Sequence, residues 1–369
     1  MKRKQFFKKI IGFGISTFVF LVIAEIVLSF FSIFPNGYFT ATPNSGFVWE
    51  IKPNDLDGIS GKSTISFDAL GARSTSNYAE KKHKIVALGG STTACFALTQ
   101  EKTWSNLLEK KLGDLYWIGN FGRPGNSSNH NVLQFEHLLK KTELEDVKTV
   151  LIMQGGNDFL GYLISAEKYT NQPKLETKKA AFKHLPNHDY PFHKRLTLYK
   201  LLKSAKQKLS FFFYKGSLTD KAIEIKEARQ NATLVNTLPS LTVGLNHFEK
   251  NIQQIIDMAK QRNIEVVFMT QATLWQSGLA PELEKLLLLS GFQNNESFYS
   301  TEALSKGMNL FNKRLQNICK KNNVSCIDLA TKLPKNTTVF YDDLHFNESG
   351  AKLVSDIVYT FLITNNFTK

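Results

Sequence analysis

Three side chains of this chain could together perform nucleophilic catalysis: Ser91 as the nucleophile, and His345 and Asp342 as the groups that activate it. Ser91 follows the apolar run 85–88 and two glycines, in the stretch KIVALGGSTTACF. The run predicts a buried strand, and residues 92–98 can begin a helix. A serine between a parallel strand and a helix lies where such sheets bind ligands, close to free backbone N–H groups. The stretch indicates a nucleophile whose attack generates an oxyanion, although a tight turn with a capping serine has the same pattern.

The candidate base lies near the C-terminus, in the stretch FYDDLHF. Asp342 precedes His345 by three residues, so its carboxylate can fold under the ring and accept from one imidazole nitrogen. The other nitrogen is then available to Ser91 as a base. Asp343 competes with Asp342 for this role. Taken alone, Asp-x-x-His could also be a surface turn or half of a metal site.

Two further loops offer hydrogen-bond donors for an oxyanion. Residues 116–121 predict a second strand, and the chain then passes through Gly122 and Gly125, either of which can present a backbone N–H. Residues 149–154 predict a third strand, which is followed by Asn157 with its side-chain amide. Because parallel strands end at the same edge of a sheet, these loops are expected to meet the serine loop.

The elements that must position these loops alternate between strands and helices. Helices of this length between strands imply a parallel sheet that is covered on both faces, which is an α/β fold. The predicted strands are 85–88, 116–121, 149–154, 264–270 and 324–329. The main predicted helices are one capped by Ser127 or Ser128 that runs to about residue 141, then 242–262, 302–322 and a last helix from about residue 348.

The order Gly-Gly-Ser91, a glycine-bearing second loop, Gly-x-Asn157 and Asp342-x-x-His345 resembles the SGNH hydrolases, also called GDSL-type serine esterases or lipases. The resemblance extends over residues 84–365. It implies a flavodoxin-like three-layer α/β/α sandwich with a central parallel sheet of about five strands. It also implies that Ser91 is the nucleophile, His345 the general base and Asp342 the carboxylate that orients the base.

The same resemblance implies an oxyanion hole made by the backbone N–H groups of Ser91 and Gly125 and the side chain of Asn157. The aspartate that usually follows the serine in this family is Thr92 here, as in the Gly-Gly-Ser variants of the superfamily. Neither the resemblance nor the residues identify a substrate-binding residue. The sequence gives no sign of a metal or of an organic cofactor.

The N-terminus has the pattern of a membrane anchor. Residues 1–9 carry five basic side chains, and residues 10–34 form an apolar run that spans roughly 37 Å as a helix. No Lys or Arg follows the run until Lys52, which predicts a single-pass protein with a cytoplasmic basic tail and an extracytoplasmic domain, periplasmic in a Gram-negative cell. A cleaved signal peptide is the alternative. Glu25 inside the run is expected to be merely tolerated, or to contact another membrane helix.

Two stretches interrupt the alternation. Residues 35–83 are rich in Gly, Pro, Ser and Asn and are predicted to be a linker, in which Arg73 is expected to be a surface arginine rather than a support of the site. Residues 162–240 are rich in Lys and His and are predicted to be an insertion in the 84–365 domain. It could be a cap over the substrate cleft, a surface that touches the membrane, or a purely structural helical addition. With the anchor, these features are similar to those of membrane-tethered bacterial family members.

Composition restricts the partners. The formal net charge is +14, of which the basic tail 1–9 supplies five positive charges. The remaining excess, on the outer side of a membrane, favours an anionic lipid surface or glycan over nucleic acid, or is simply a solvated basic face. The three cysteines form no CxxC pair, so they do not indicate a metal site. Cys319 and Cys326 could pair in an oxidising compartment but are expected to be two buried thiols.

These observations predict an enzyme that hydrolyses carboxylic esters, with an O-acyl or O-acetyl ester of an envelope glycan or lipid as the expected substrate. The acyl group would be held on Ser91 and released by water. The same residues would serve an O-acyltransferase in which a sugar hydroxyl replaces water. A third possibility is a scaffold or glycan-binding module without turnover. The sequence identifies no protein partner.

Overall fold

A computed structural model describes most of the chain. The described residues are 2–31, 33–51, 56–59, 61–213, 218–289, 291–292 and 297–367. Short parts of the predicted linker (52–55 and 60) and of the predicted insertion (214–217) lie outside the described residues. The chain divides into two compact units, of which unit one comprises Met1–Gly37 and His184–Gly216, and unit two comprises Tyr38–Lys183 and Ser217–Lys369.

The helices that lie within the described residues are numbered here in chain order. They are α1 (Lys2–Ser29), α2 (Ser91–Ala94), α3 (Trp104–Leu112), α4 (Ser128–Leu138), α5 (Gly156–Thr170), α6 (Lys174–Ala181), α7 (Phe192–Arg195), α8 (Thr197–Phe213), α9 (Leu218–Asn231), α10 (Thr242–Gln261), α11 (Pro281–Glu284), α12 (Thr301–Asn322), α13 (Leu329–Lys332) and α14 (Glu348–Thr364).

The strands are numbered in the same way. They are β1 (Ser45–Glu50), β2 (Lys62–Phe67), β3 (His83–Gly89), β4 (Tyr116–Asn120), β5 (Thr149–Gln154), β6 (Thr233–Val235), β7 (Glu265–Thr270), β8 (Gly291–Phe292), β9 (Ser297–Tyr299) and β10 (Ser325–Ile327). Each of the five predicted strands is present, and β5 has the predicted bounds, whereas β10 is shorter than predicted.

Unit two is built on a parallel sheet of five strands in the order β10-β7-β5-β3-β4. Counted along the chain within the sheet, this is the 2-1-3-4-5 order of flavodoxin-like folds. The order reverses between β3 and β5, so the loops that follow these two strands separate at the sheet edge and leave a crevice, the place where open α/β sheets bind ligands. The predicted fold class is confirmed.

Helices cover both faces of this sheet. Because crossovers between parallel strands are right-handed, α3 lies on one face, and the helices that follow β4, β5 and β7 lie on the other, after the chain has reversed its direction across the sheet. In agreement, α3 packs against α14, while α10 packs against α4 and α12. Every residue of β4 and β5 is buried, as expected for strands covered on both faces.

The predicted linker contains structure that the sequence analysis did not predict. Strands β1 and β2 form an antiparallel hairpin, in which Ser45 pairs with Phe67 and Glu50 with Lys62. The hairpin is tied to the turn after Ser91, because the Ser63 hydroxyl donates to the backbone carbonyls at positions 96 and 98. No side chain of β1 is fully buried, and in β2 only Ser63 and Ile65 are. The alternation that would predict strands from the sequence is therefore weak.

Unit one contains the apolar helix α1 and the helix α8, whose start is in contact with α1. The segment Gln5–Ser29 of α1 is the one helix among the described residues with the length and mean hydropathy (2.4 over its most apolar window) of a membrane span or a signal sequence. The expectation that Glu25 is merely tolerated is wrong. Its carboxylate accepts the backbone N–H groups of Thr197 (2.7 Å) and Leu198 (2.9 Å), at the start of α8 of the same chain.

The three cysteines are free thiols. Cys95 and Cys319 are buried, whereas Cys326, which was also expected to be buried, is half-buried. Hydrogen bonding to the Cys326 thiol and burial both raise the pKa of Cys319, so this thiol is held in its neutral form.

Candidate active site

Ser91 is the first residue of α2 and is separated from the end of strand β3 by Gly90 alone. The predicted helix 92–98 is wrong in length, because Cys95 adopts a left-handed conformation (φ 50°) and ends α2 after Ala94. Gly90, before the serine, has no room for a side chain: a Cβ atom there would lie 2.3 Å from Nδ2 of Asn157. This glycine therefore lets the Asn157 amide approach the backbone next to Ser91.

Three side chains form a continuous hydrogen-bonded series. Ser91 Oγ lies 2.7 Å from His345 Nε2, and His345 Nδ1 lies 2.7 Å from Asp342 Oδ2. The other carboxylate oxygen accepts the backbone N–H groups of Leu344 (3.0 Å) and His345 (2.8 Å), which fixes the Asp342 side chain. The Tyr341 ring stacks on the imidazole at an interplanar angle of 10°. The ring of His345 is therefore held in one orientation, with Nε2 toward the serine.

Asp343, the competing carboxylate, has a different set of partners. It accepts the indole N–H of Trp275 (2.8 Å) and the backbone N–H groups of Leu288 (2.7 Å) and Leu289 (3.0 Å). These contacts anchor the segment around residue 288, and none of them involves the imidazole. The geometry therefore favours Asp342 over Asp343 as the partner of His345.

The pKa shifts of His345, Asp342 and Asp343 agree with these hydrogen bonds. Burial opposes protonation of His345, but the charge of Asp342 and the hydrogen bond to it outweigh burial and raise the pKa of His345 above its ordinary value of 6.5. Burial likewise favours the neutral form of Asp342, yet the contact with His345 and two backbone N–H groups bring the pKa of Asp342 below its usual value. Burial, and then the charge of Asp342, raise the pKa of Asp343. Asp342 is thus the carboxylate that stays ionised beside the ring.

Each of the three predicted oxyanion donors has an N–H group with no acceptor among the described residues. Asn157 uses one of its side-chain N–H groups to bind the carbonyl of Asn126 (2.9 Å), which leaves the second N–H. The backbone N–H groups of Ser91 and Gly125 meet no acceptor among the described residues. Gly122, the competing glycine, donates its N–H to the Asn120 side chain (2.9 Å). The geometry therefore favours Gly125, whose φ of 82° is one that glycine adopts without strain.

Asp158 holds two of these loops together, a role that the sequence analysis did not assign. This fully buried carboxylate accepts the backbone N–H of Ser128 (3.0 Å), the Ser128 hydroxyl and the Tyr169 hydroxyl. It thereby joins the start of α5, which carries Asn157, to the start of α4, which follows Gly125. Burial raises the pKa of Asp158, and its hydrogen bonds oppose that effect.

Arg73 is not the surface arginine that was expected, because only 2% of it is exposed. Its guanidinium donates to the backbone carbonyls of Ala94 (2.6 Å), Cys95 (2.7 Å) and Leu98 (2.5 Å), and to the Gln100 side chain (3.0 Å). Burial lowers the pKa of Arg73 to about 10. Arg73 therefore supplies the donors that a longer α2 would have supplied, and it supports the turn that carries Ser91.

We expect Arg73→Lys to lower the free energy of unfolding by about 2–4 kcal/mol, because an ammonium group cannot serve four acceptors in these directions and leaves buried carbonyls without donors. We also expect a lower kcat, since α2 loses its support. Urea unfolding and esterase assays measure both effects. Arg262→Lys is the matched control, as Arg262 makes one 3.3 Å bond to a carbonyl of α4. Equal unfolding midpoints for Arg73→Lys and the unmodified protein would contradict the supporting role.

The sheet order and the site together fit the class of α/β serine hydrolases. Residues 87–353 match the GDSL-like Lipase/Acylhydrolase family, and the chain belongs to this family. It is therefore an ester-hydrolysing enzyme. Among the described residues, no group of three or more His, Cys, Asp or Glu side chains is arranged to hold a metal ion.

Several solved structures are similar to this chain. One is a lipolytic protein of the G-D-S-L family from Veillonella parvula, with 12% identity, a TM-score of 0.41 and coverage of 76% of this chain and 98% of that chain. A psychrotrophic esterase from Pseudoalteromonas sp. has 13% identity, a TM-score of 0.39 and coverage of 77% and 99%. An acetyl xylan esterase has 16% identity, a TM-score of 0.41 and coverage of 76% and 99%. A comparison with curated proteins gave no match.

Proposed function

We propose that this enzyme hydrolyses carboxylic O-acyl esters, such as O-acetyl esters, with Ser91 as nucleophile, His345 as general base and Asp342 as the carboxylate that orients and stabilises the imidazole. The observation that carries the proposal is the continuous series from Ser91 Oγ to Asp342, with 2.7 Å at each step. Such distances allow direct proton transfer from the serine hydroxyl to the histidine.

In the acylation step, Ser91 Oγ attacks the ester carbonyl carbon while its proton moves to His345 Nε2. The imidazolium is stabilised by the ionised Asp342, and the tetrahedral oxyanion by the N–H groups of Ser91, Gly125 and Asn157. One such donor contributes about 10²–10³ in kcat. The intermediate then expels the alcohol, which takes the proton from His345, and the acyl group remains on Ser91.

In the second step, an acceptor takes the acyl group. Water attacks the acyl-enzyme while His345 removes its proton, and the collapse of the second oxyanion releases the carboxylic acid and restores the serine hydroxyl. A sugar hydroxyl in the place of this water would make the enzyme an O-acyltransferase. We favour water, because the family to which the chain belongs is one of acyl hydrolases.

We further propose that residues 10–34 anchor the protein in a membrane, with residues 1–9 in the cytoplasm and a catalytic domain over residues 84–365 on the outer side. The basic tail before the apolar run and the absence of Lys and Arg from 10–51 support this orientation. The location, and the basic excess that remains after the five positive charges of residues 1–9 are taken from the net +14, support an ester on an envelope glycan or lipid, in particular an anionic one, as substrate.

The experiment that tests the reaction follows both products of one substrate. The full-length protein, in detergent micelles, is incubated with p-nitrophenyl acetate, with and without a neutral oligosaccharide acceptor. We expect free acetate to equal p-nitrophenol in amount under both conditions. If mass spectrometry detects acetylated oligosaccharide and free acetate falls short of p-nitrophenol, the reaction is acyl transfer rather than hydrolysis. If p-nitrophenol is released no faster than with heat-denatured protein, both hydrolysis and acyl transfer are contradicted. A non-catalytic scaffold or glycan-binding module is then favoured.

A further inference from the structure

Helix α8 is capped by a residue that is far away in sequence. Helices normally begin after Ser, Thr, Asp or Asn, whose side chains accept the first free N–H groups. The residue before α8 is Leu196, which has no acceptor in its side chain. Glu25 of α1 supplies both acceptors, at 2.7 Å from the Thr197 nitrogen and 2.9 Å from that of Leu198. A carboxylate at this end of a helix is also favoured by the helix dipole.

This contact sets the depth at which α8 begins. Glu25 lies 15 residues after Ile10, where the proposed membrane segment begins, which is about 22 Å along a helix axis in a hydrocarbon layer of about 30 Å. For a helix that spans a membrane, such a position lies near the boundary between the hydrocarbon and the lipid headgroups. The start of α8 is therefore fixed at the boundary of the membrane that α1 enters.

After its first turn, α8 has two faces among the side chains whose burial is described. Residues 197–200 are half-buried all around the helix, and beyond them the half-buried side chains at 201 and 204 lie on one face at helical spacing. The exposed side chains are at 202, 203, 205 and 206. They combine one large apolar residue, Leu202, which is 72% exposed, with two cations, Lys203 and Lys206. The preceding helix α7 begins with Phe192, which is 74% exposed.

The charge of this segment has one sign. Residues 192–213 contain six Lys and Arg residues and no Asp or Glu. Lys203 and Lys206 form no ion pair with any described residue. A helix with exposed lysines and a few large apolar side chains can lie at a membrane surface, with the lysine stems along the apolar layer and the ammonium groups on anionic headgroups.

We propose that α8 is an interfacial helix, which lies on the membrane entered by α1 and binds anionic lipid headgroups through Lys203 and Lys206, with Leu202 inserted between them. Glu25 is the residue that positions its start. The inference rests on the anchoring by α1 proposed above. A protein occupant is disfavoured because the centres of protein interfaces are depleted in lysine, and the exposed face of α8 has two.

Site-specific nitroxide labels in the full-length protein test the inference. In a Cys326→Ser background, where the remaining cysteines are buried, single labels are placed at Leu202→Cys, at Val19→Cys in α1 and at Leu310→Cys, an exposed control in α12. The protein is embedded in nanodiscs of phosphatidylcholine, alone or mixed with phosphatidylglycerol. Collisions with oxygen, which concentrates in lipid, are compared with collisions with a water-soluble nickel complex.

We expect the ratio of oxygen to nickel collisions at residue 202 to be severalfold higher than at 310, lower than at 19, and to rise when phosphatidylglycerol is added. Lys203→Gln with Lys206→Gln should remove most of that rise. If the label at 19 is in lipid and the label at 202 behaves like that at 310, the inference is wrong and the anchor stands. If the label at 19 is in water, the anchor itself fails, and the inference fails with it.

The cap is tested separately. Glu25→Ala removes both acceptors and should make the label at 202 more mobile, whereas Glu25→Gln keeps one acceptor and should have a smaller effect. Unchanged mobility in Glu25→Ala would overturn the positioning role of Glu25. Protection of the label at 202 from both oxygen and nickel would mean that protein covers this face, and would overturn the lipid assignment.

Discussion

Ser91→Ala is expected to lower kcat for p-nitrophenyl acetate by about 10³–10⁶-fold, because no acyl-enzyme can form without the serine oxygen. It should also abolish labelling by a fluorophosphonate, in which the serine oxygen displaces fluoride from phosphorus. Thermal unfolding should change little, by about 1 kcal/mol or less, since the hydroxyl has one hydrogen-bond partner among the described residues, His345. Loss of activity with a retained fold would identify a chemical role for the serine rather than a structural one.

Ser349→Ala is the matched control. It removes the same hydroxyl from an exposed position in α14 and should leave both labelling and hydrolysis unchanged. If Ser91→Ala still reacts with the fluorophosphonate, another residue is the nucleophile. If the unmodified, folded protein is not labelled at all, the assignment of a serine mechanism is wrong.

The fold was predictable because each strand of the central sheet has a recognisable local sequence pattern. Strands β3, β4 and β5 are short apolar runs that are bounded by glycine or polar loops, and parallel strands require helices between them. The hairpin β1–β2 was missed because its side chains are mostly exposed or half-buried and carry little alternation. The early end of α2 was missed because the left-handed conformation of Cys95, a residue that seldom adopts it, has no signature in the sequence.

Part of the candidate site was predictable, because the loops that follow parallel strands lie at the same edge of the sheet. Asp342 and His345 are three residues apart, so their contact is local, and the order of the sheet brings His345 to Ser91. The choice between Asp342 and Asp343 was not open to sequence reasoning, because it depends on Trp275 and the segment at 288, which attract Asp343. The catalytic roles themselves stay predictions.

Residues that act at long range could not be found from the sequence. Arg73 supports a turn more than 20 positions away, and Glu25 caps a helix 172 positions away. Neither is marked by a motif: an arginine in a polar stretch and a carboxylate in an apolar run have many common explanations. In each case a buried or half-buried charge satisfies free backbone groups that the local sequence leaves without partners. A search for helix ends without local caps could have suggested the second of these contacts.

Asp342→Asn is expected to lower kcat by about 10³–10⁴-fold while the protein stays folded. The amide would donate an N–H to His345 Nδ1, which places the imidazole proton on Nε2, the atom that must accept from Ser91. The imidazolium formed during catalysis would also lose the negative charge beside it. Hydrolysis of p-nitrophenyl acetate across a range of pH measures both effects, because kcat/KM reports the pKa of the base in the free enzyme.

The sign of the pH effect distinguishes this role from a merely structural one. In the unmodified enzyme kcat/KM should rise with pH through a midpoint above 6.5, since Asp342 holds the pKa of His345 above that value. In Asp342→Asn the charge of Asp342 is gone but the burial that disfavours imidazolium remains, so the midpoint should fall below that of the unmodified enzyme. Asp343→Asn, the matched control, removes a more remote charge and should move the midpoint less. If Asp343→Asn moves the midpoint and Asp342→Asn does not, then Asp343 is the carboxylate that acts on the histidine, and the hydrogen bond at 2.7 Å is not the one used in catalysis.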